Sequence, residues 1–333
     1  MKFRYSLSTS SAALYKVKPL WTYVYIEGME REIYPCIYLD GEWGENSPIE
    51  EYRAQPYPLP HGIVMRWWSA AEQKCYFLSS DIDRDKAEEE WTSQESQGEL
   101  VKYNYVVIGL APYGGVAVWL RGYLKSTLLH WMKGEETSLM PLERDKMDEA
   151  FLTPMPIIPP KDIFDHWMMQ FHYRYVPLEE YWDGEKWQEY DEEDTFYDDI
   201  MINELRVQRF DGTHHELPGD FSLIKYHEAG MPKRMALRWD EGHTHLSAYW
   251  WFDDQVLYPI LHRFFSLNPD ARADILLRCD SRQECFEIAL KSGEMLQQPI
   301  TILPEAYQLI VFKDGHELYK SENYNQEQGA WNW

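Results

Sequence analysis

Hydrophobic and polar positions alternate with a period of two near the start of this chain, the spacing of half-buried strands. Residues 20–39 open the pattern with Trp21, Tyr23 and Tyr25, and Asp40-Gly41 supplies a turn. The prolines of 47–60 (Pro48, Pro56, Pro58, Pro60) predict an extended loop without a helix. Residues 63–68 and 74–78 read as a hairpin. The period then changes to helical over 81–91, with Ser80 and Asp83 near its start. Two apolar strands, 103–110 and 116–120, flank Ala111-Pro112-Tyr113-Gly114-Gly115, whose proline and paired glycines suit a tight turn. Leu124, Leu128, Leu129 and Met132 then fall on one face of a helix over 122–133.

Much of this pattern returns. Leu59-Pro60-His61-Gly62-Ile63-Val64-Met65-Arg66-Trp67 is echoed by Met231-Pro232-Lys233-Arg234-Met235-Ala236-Leu237-Arg238-Trp239, with the same spacing from proline to Arg-Trp. Each is followed by a polar turn, then aromatics (Tyr76-Phe77; Tyr249-Trp250-Trp251-Phe252), then a helical stretch. The second stretch, 253–265, spaces Val256, Leu257, Ile260, Leu261, Phe264 and Phe265 amphipathically around Pro259. Residues 273–277 read as a strand. Ser281 with Glu284 has the form of a capping box, and Gly293 of a stop, so the spacing predicts a helix over 282–292. Strands over 300–303, 307–312 and 317–319 close the chain around Asp314-Gly315.

These signals together predict an α+β fold of two degenerate repeats, each an antiparallel β-sheet with one or two packed helices. The first repeat covers 1–135, and a proline-rich linker follows over 136–162. The second covers 163–320 and carries an acidic insertion over 179–220. A polar tail, 321–333, ends the chain.

Charge narrows the choice of partners. With 32 basic against 56 acidic residues the net charge is −24, a field that repels nucleic acid and anionic membrane and attracts basic proteins. No run of 18 apolar residues occurs, and the first ten residues hold no apolar leader, so the expected compartment is the cytoplasm. Cys36, Cys75, Cys279 and Cys285 form no CxxC pair and read as small core residues of a reducing compartment.

Catalytic constellations each lack a member. His214-His215 and His243-Thr244-His245 have no third ligand at metal-site spacing, and neither HExxH nor GxSxG occurs. The expectation is a protein without catalysis, metal or cofactor. Between Glu179 and Asp199, by contrast, eleven Asp/Glu and one Lys are interleaved with aromatic residues. Rings supply buried area and carboxylates supply steering, which is what seizing a basic protein patch requires. The candidate partner-binding residues are Tyr181, Trp182, Asp183, Trp187, Tyr190, Asp191, Glu192, Glu193 and Asp194. The helix around Glu88, Glu89 and Glu90 is the alternative acidic surface.

Leu59-Pro60 through Arg66-Trp67, Glu72 and Tyr76, followed by Gly109-Leu110-Ala111-Pro112-Tyr113-Gly114-Gly115 through Gly122, resemble an uncharacterised bacterial family. Its members are often described as lipoproteins and occur beside type VI secretion effectors, where they are taken for immunity proteins. The resemblance covers mainly 20–135, with a fainter echo over 165–290. It implies an immunity protein whose partner is a basic protein toxin. Many members carry a lipoprotein signal, which is not seen here, so the implied toxin acts in the cytoplasm. Two other readings of the residues remain: an aromatic-rich ligand- or carbohydrate-binding module without catalysis, and a hydrolase using His243 and His245.

Overall fold

Period-two alternation builds the first part of the molecule. In chain order it has strands β1 (Ser6–Ser11), β2 (Val17–Ile26), β3 (Met29–Glu32), β4 (Gly62–Ser69) and β5 (Lys74–Asp81), then helix α1 (Arg84–Glu95). Strands β6 (Tyr103–Leu110), β7 (Gly115–Gly122), β8 (Lys125–Lys133) and β9 (Glu135–Thr137) follow. Short helices α2 (Pro141–Arg144), α3 (Glu149–Leu152) and α4 (Ile163–Met168) end this part. The computed structural model describes residues 1–12, 15–32, 43–45, 56–95, 102–155, 158–178, 180–189, 200–218, 225–267, 271–292 and 299–325. It divides into two units, Met1–Met168 with Asp211–His214, and Met169–Phe210 with His215–Trp333.

In the first unit, β3-β2-β4-β5-β9 form one sheet, antiparallel at every junction. The second sheet has the order β1-β6-β7-β8, and β1 runs parallel to β6, with Ser6 beside Tyr105. Because alternate side chains share a face, Val24, Ile63, Met65, Trp67, Tyr76 and Leu78 of the first sheet point inward. They join one core with Leu7, Val106, Ile108, Val118 and Leu120 of the second sheet, and with Ala87 and Trp91 of α1. Asp83 Oδ1 accepts from the Lys86 N–H at 3.0 Å, so the helix is capped at Asp83 rather than at Ser80. Behind β7, Trp119 crosses Trp43 edge to face at 4.8 Å and donates from Nε1 to the Asp211 carbonyl. A methyl group on Gly109 or Gly212 would strike the Trp119 ring, hence glycine at both.

The second unit contains β10 (Gln170–Pro177), β11 (Glu180–Trp182), β12 (Trp187–Glu189), β13 (Ile200–Arg209), β14 (His214–Pro218) and β15 (His227–Gly230). Strands β16 (Pro232–Glu241) and β17 (Thr244–Phe252) precede helix α5 (Asp254–Leu267). Then come β18 (Ala273–Asp280), β19 (Cys285–Ser292), β20 (Ile300–Ile302), β21 (Tyr307–Lys313) and β22 (His316–Lys320). Its strand orders run in step with those of the first unit. β14-β13-β16-β17-β21 matches β3-β2-β4-β5-β9, and β10-β18-β19-β20 matches β1-β6-β7-β8. β10 is parallel to β18, as β1 is to β6, and α5 stands where α1 does, between the hairpin and that parallel partner. Trp67 and Trp239 each lie two residues before the last pair of their hairpins, Ser69↔Lys74 and Glu241↔Thr244, and both are buried.

The α+β expectation is corrected: 55% of the structure is strand and 17% helix, so sheets rather than packed helices make each unit. Two segments carry the error. Residues 122–133, expected as a helix, turn at Tyr123-Leu124 and continue as β8, paired antiparallel with β7. Residues 282–292 are the end of a turn and then β19. The Ser281 hydroxyl donates to Glu241, and the Arg282 and Gln283 N–H groups are taken by Asp280 Oδ1, so the capping-box residues form a hairpin turn. Among the described residues no helix is long and apolar enough to cross a membrane.

Candidate functional site

The acidic stretch enters the described structure as the hairpin β11–β12, paired Glu180↔Glu189, Tyr181↔Gln188 and Trp182↔Trp187. Its turn is made by Asp183 and Gly184. Asp183 Oδ1 accepts from the N–H groups of Glu185 and Lys186, both at 2.8 Å, and Oδ2 from Gln188 Nε2 at 2.7 Å. Gly184 supplies the left-handed φ of +101° that the turn needs. The Gln188 amide, then those backbone donors, hold the Asp183 carboxyl down at about 2.

Strands β18 and β19 carry the hairpin. The buried Arg278 guanidinium lies 2.6 Å from Glu180 Oε2 and 3.6 Å from Glu287 Oε2, and sits 5.4 Å over the Trp187 ring. Trp187 Nε1 donates to Glu287 Oε2 at 2.7 Å, and the Trp182 N–H donates to Asp280 Oδ2. Trp182 and Trp187 meet edge to face at 5.5 Å, and Lys291 reaches Glu189 at 2.9 Å. Trp187 is thus half-buried against an arginine, and its ring serves the mount. Asp183, Glu185, Lys186 and Glu189 are the charged residues the hairpin exposes, three acidic and one basic, with Tyr181 and Trp182 partly covered. Tyr190, Asp191, Glu192, Glu193 and Asp194 lie outside the described residues.

The other acidic surface, on α1, is partly spent on helix contacts. Glu88 pairs with Arg84 at 2.8 Å and Glu90 stands 4.0 Å from Lys125, leaving Glu89 exposed. Near the predicted histidine pair, His245 Nδ1 is 2.5 Å from Asp240 Oδ1, and that bond raises the imidazole pKa. Among the described residues no three His, Cys, Asp or Glu side chains converge as a metal site would need.

The motif residues of the first unit explain one another. The Glu72 carboxylate accepts from the Tyr76 hydroxyl at 2.6 Å, from the Ser69 hydroxyl, and from the Tyr113 N–H at 2.7 Å. It latches the β4–β5 turn to the β6–β7 turn, where Tyr113 takes φ +55° and its hydroxyl donates to the Pro159 carbonyl. Burial and the Glu72 charge raise the Tyr76 pKa, so this tyrosine stays a hydrogen-bond donor. Glu72 is therefore a structural carboxylate.

One feature eluded sequence reasoning. Trp21, Tyr23 and Tyr25 alternate with the buried Thr22, Val24 and Ile26, and so project together from the far side of their sheet. Trp21 meets Tyr23 at 5.4 Å and Phe77 of β5 at 6.2 Å. The alternation was visible, but which of its two faces is covered depends on long-range pairing.

Comparison with known proteins adds a domain family. No curated protein and no solved structure matches the chain. Residues 3–154 match the model of DUF2931, a family described as a protein of unknown function, so the likeness spans both sheets of the first unit and ends just after α3.

Proposed function

We propose that the chain is a binding protein without catalysis, an immunity protein that neutralises a basic antibacterial toxin acting in the cytoplasm and delivered by type VI secretion. The observation that supports this most is the mounted hairpin β11–β12. In a chain of net charge −24 it holds Asp183, Glu185 and Glu189 outward, against one exposed cation, Lys186, on a base fixed by Arg278, Glu287 and Asp280. Carboxylates on a rigid support lose little freedom on meeting a basic surface, and their field steers encounter. They would stand where the phosphates of a nucleic-acid or nucleotide substrate otherwise bind. The experiment is co-expression with the product of the adjacent gene, in cells that this product kills. Growth should be restored, and the two purified proteins should associate at a rate that falls with added salt. Replacing Asp183, Glu185 and Glu189 together by their amides should slow association about tenfold. Unchanged killing in the presence of folded protein would reject the reading.

A further inference from the structure

We propose that the outer face of the β3-β2-β4-β5-β9 sheet is a binding site for a neutral oligosaccharide. The face has two parts. One end is closed: α3 lays Phe151 against Trp68 and Cys75, with Leu20, Leu139, Met147 and Met155 around them, and α2 covers Arg66. The other end carries the stripe Trp21, Tyr23 and Phe77, with Tyr23 36% exposed. Next to the stripe lies a depression of about 250 Å³, floored by Gly62, Ile63 and Val64 and walled by Tyr25, His61, Ser79 and Asp81. A Cβ at Gly62 would lie in ordinary contact with the Ser80 carbonyl and Tyr25, at 3.5–3.7 Å.

The chemistry of the lining selects the ligand. Aromatic rings beside a shallow hollow offer flat apolar surface, and a carboxylate, an imidazole and hydroxyls offer hydrogen bonds at its edge. The hollow is smaller than a drug-sized pocket and holds about one sugar ring. Three cations near this end are already engaged. Arg66 of β4 is engaged by Glu143, Lys74 of β5 by Glu136, and Arg84 beyond β5 by Glu27 and Glu88. An anionic ligand would thus meet the Asp81 carboxylate while these three cations stay paired. A ligand with apolar C–H faces, many hydroxyls and no charge complements both stripe and hollow, and a saccharide is that ligand.

Titration of the full chain with the β-1,4-linked tetrasaccharides of glucose, N-acetylglucosamine and mannose, followed by calorimetry and tryptophan fluorescence, tests this. At least one should bind, with an affinity indifferent to salt. Trp21→Ala should weaken it about tenfold and Trp21→Phe much less, as removal of one stacking ring predicts. Asp81→Asn should weaken it too, while thermal unfolding of each variant shows an intact fold. If none of the three binds, or if Trp21→Ala binds as well as the parent, the proposal fails. Salt-sensitive binding of oligolysine at Trp21, with no saccharide binding, also overturns it and assigns the face to a basic protein. None of these outcomes depends on the hairpin β11–β12, so this proposal and the toxin reading fail separately.

Discussion

Arg66 and Arg238 occupy one position in two copies of a hairpin, three residues before its last strand pair, and meet different surroundings. The Arg66 side chain is 9% exposed. Its Nε and Nη2 fork onto the two oxygens of Glu143 at 3.1 and 2.9 Å, and Nη2 also donates to the Ser138 carbonyl. Glu143 in turn accepts the Met140 N–H that opens α2. Arg238 is 47% exposed, and reaches Glu204 on the neighbouring β13 at 3.2 Å. The next residue tells the opposite story: Trp67 and Trp239 are both fully enclosed. The repeated pattern thus dictates the inner face of each hairpin. The outer face depends on the chain that follows β9, which in the first unit folds back as α2 and α3 over Arg66, Trp68 and Cys75.

The largest expected effect tests the likeness. Trp67→Ala and Trp239→Ala should each lose about 3–5 kcal/mol in urea unfolding, as emptied core sites do. A loss below about 1 kcal/mol at either would show that the two sites are not equivalent in packing. Next comes the difference. Arg66→Ala leaves the largely buried Glu143 carboxylate of α2 without its cation and should cost about 3 kcal/mol. Arg238→Ala removes an exposed pair and should cost less than about 0.5 kcal/mol, so equal losses would break the contrast. Glu72→Gln, which weakens the latch holding the Tyr113 turn, should cost about 1–2 kcal/mol and leave the second unit's unfolding unchanged.

The smallest effects are pH responses at exposed sites of the second unit. The Asp183 carboxyl titrates at about 2 in the folded chain against an ordinary 3.8, so its stabilisation is complete above about 4 and fades as pH falls toward 2. A carboxyl resonance of Asp183 with its midpoint near the ordinary value would show that the turn is not closed as described. His245 runs the other way. Its pKa is raised by Asp240, so its contribution is full below the ordinary 6.5 and is lost as pH rises through the folded value. Asp240→Asn should bring the imidazole midpoint, followed by NMR, back toward 6.5.

Sequence patterns revealed the hairpins and α1 because each is decided locally, by alternation and by a cap such as Asp83. They misled at β8, where Leu128, Leu129 and Met132, at helical spacing from Leu124 in the preceding turn, sit on a strand whose partner, β7, decides its conformation. They misled again at Ser281 and Glu284, where Asp280 claims the N–H groups that a helix would have offered its cap. In the candidate site the acidic and aromatic composition of 179–199 was legible. The mount was not: Arg278 and Glu287 lie about a hundred residues from Trp187, and only the pairing of β18 with β19 brings them beneath it.

The parallel pairs carry a consequence for synthesis. β1 waits about a hundred residues for β6, and β10 waits as long for β18. At roughly 5–20 residues per second, a ribosome leaves β1 without its partner for about 5–20 s, and β10 without β18 for as long, with only the short edge strand β15 to pair with in between. The two strands bear that wait differently. β1 is Ser-Leu-Ser-Thr-Ser-Ser and has little apolar surface to offer a wrong neighbour, whereas β10 is Gln-Phe-His-Tyr-Arg-Tyr-Val-Pro, rich in aromatic rings. The nascent second half is therefore the part expected to aggregate first. Slowing translation between β10 and β18 should lower the soluble yield, while the same pause between β1 and β6 should pass unnoticed.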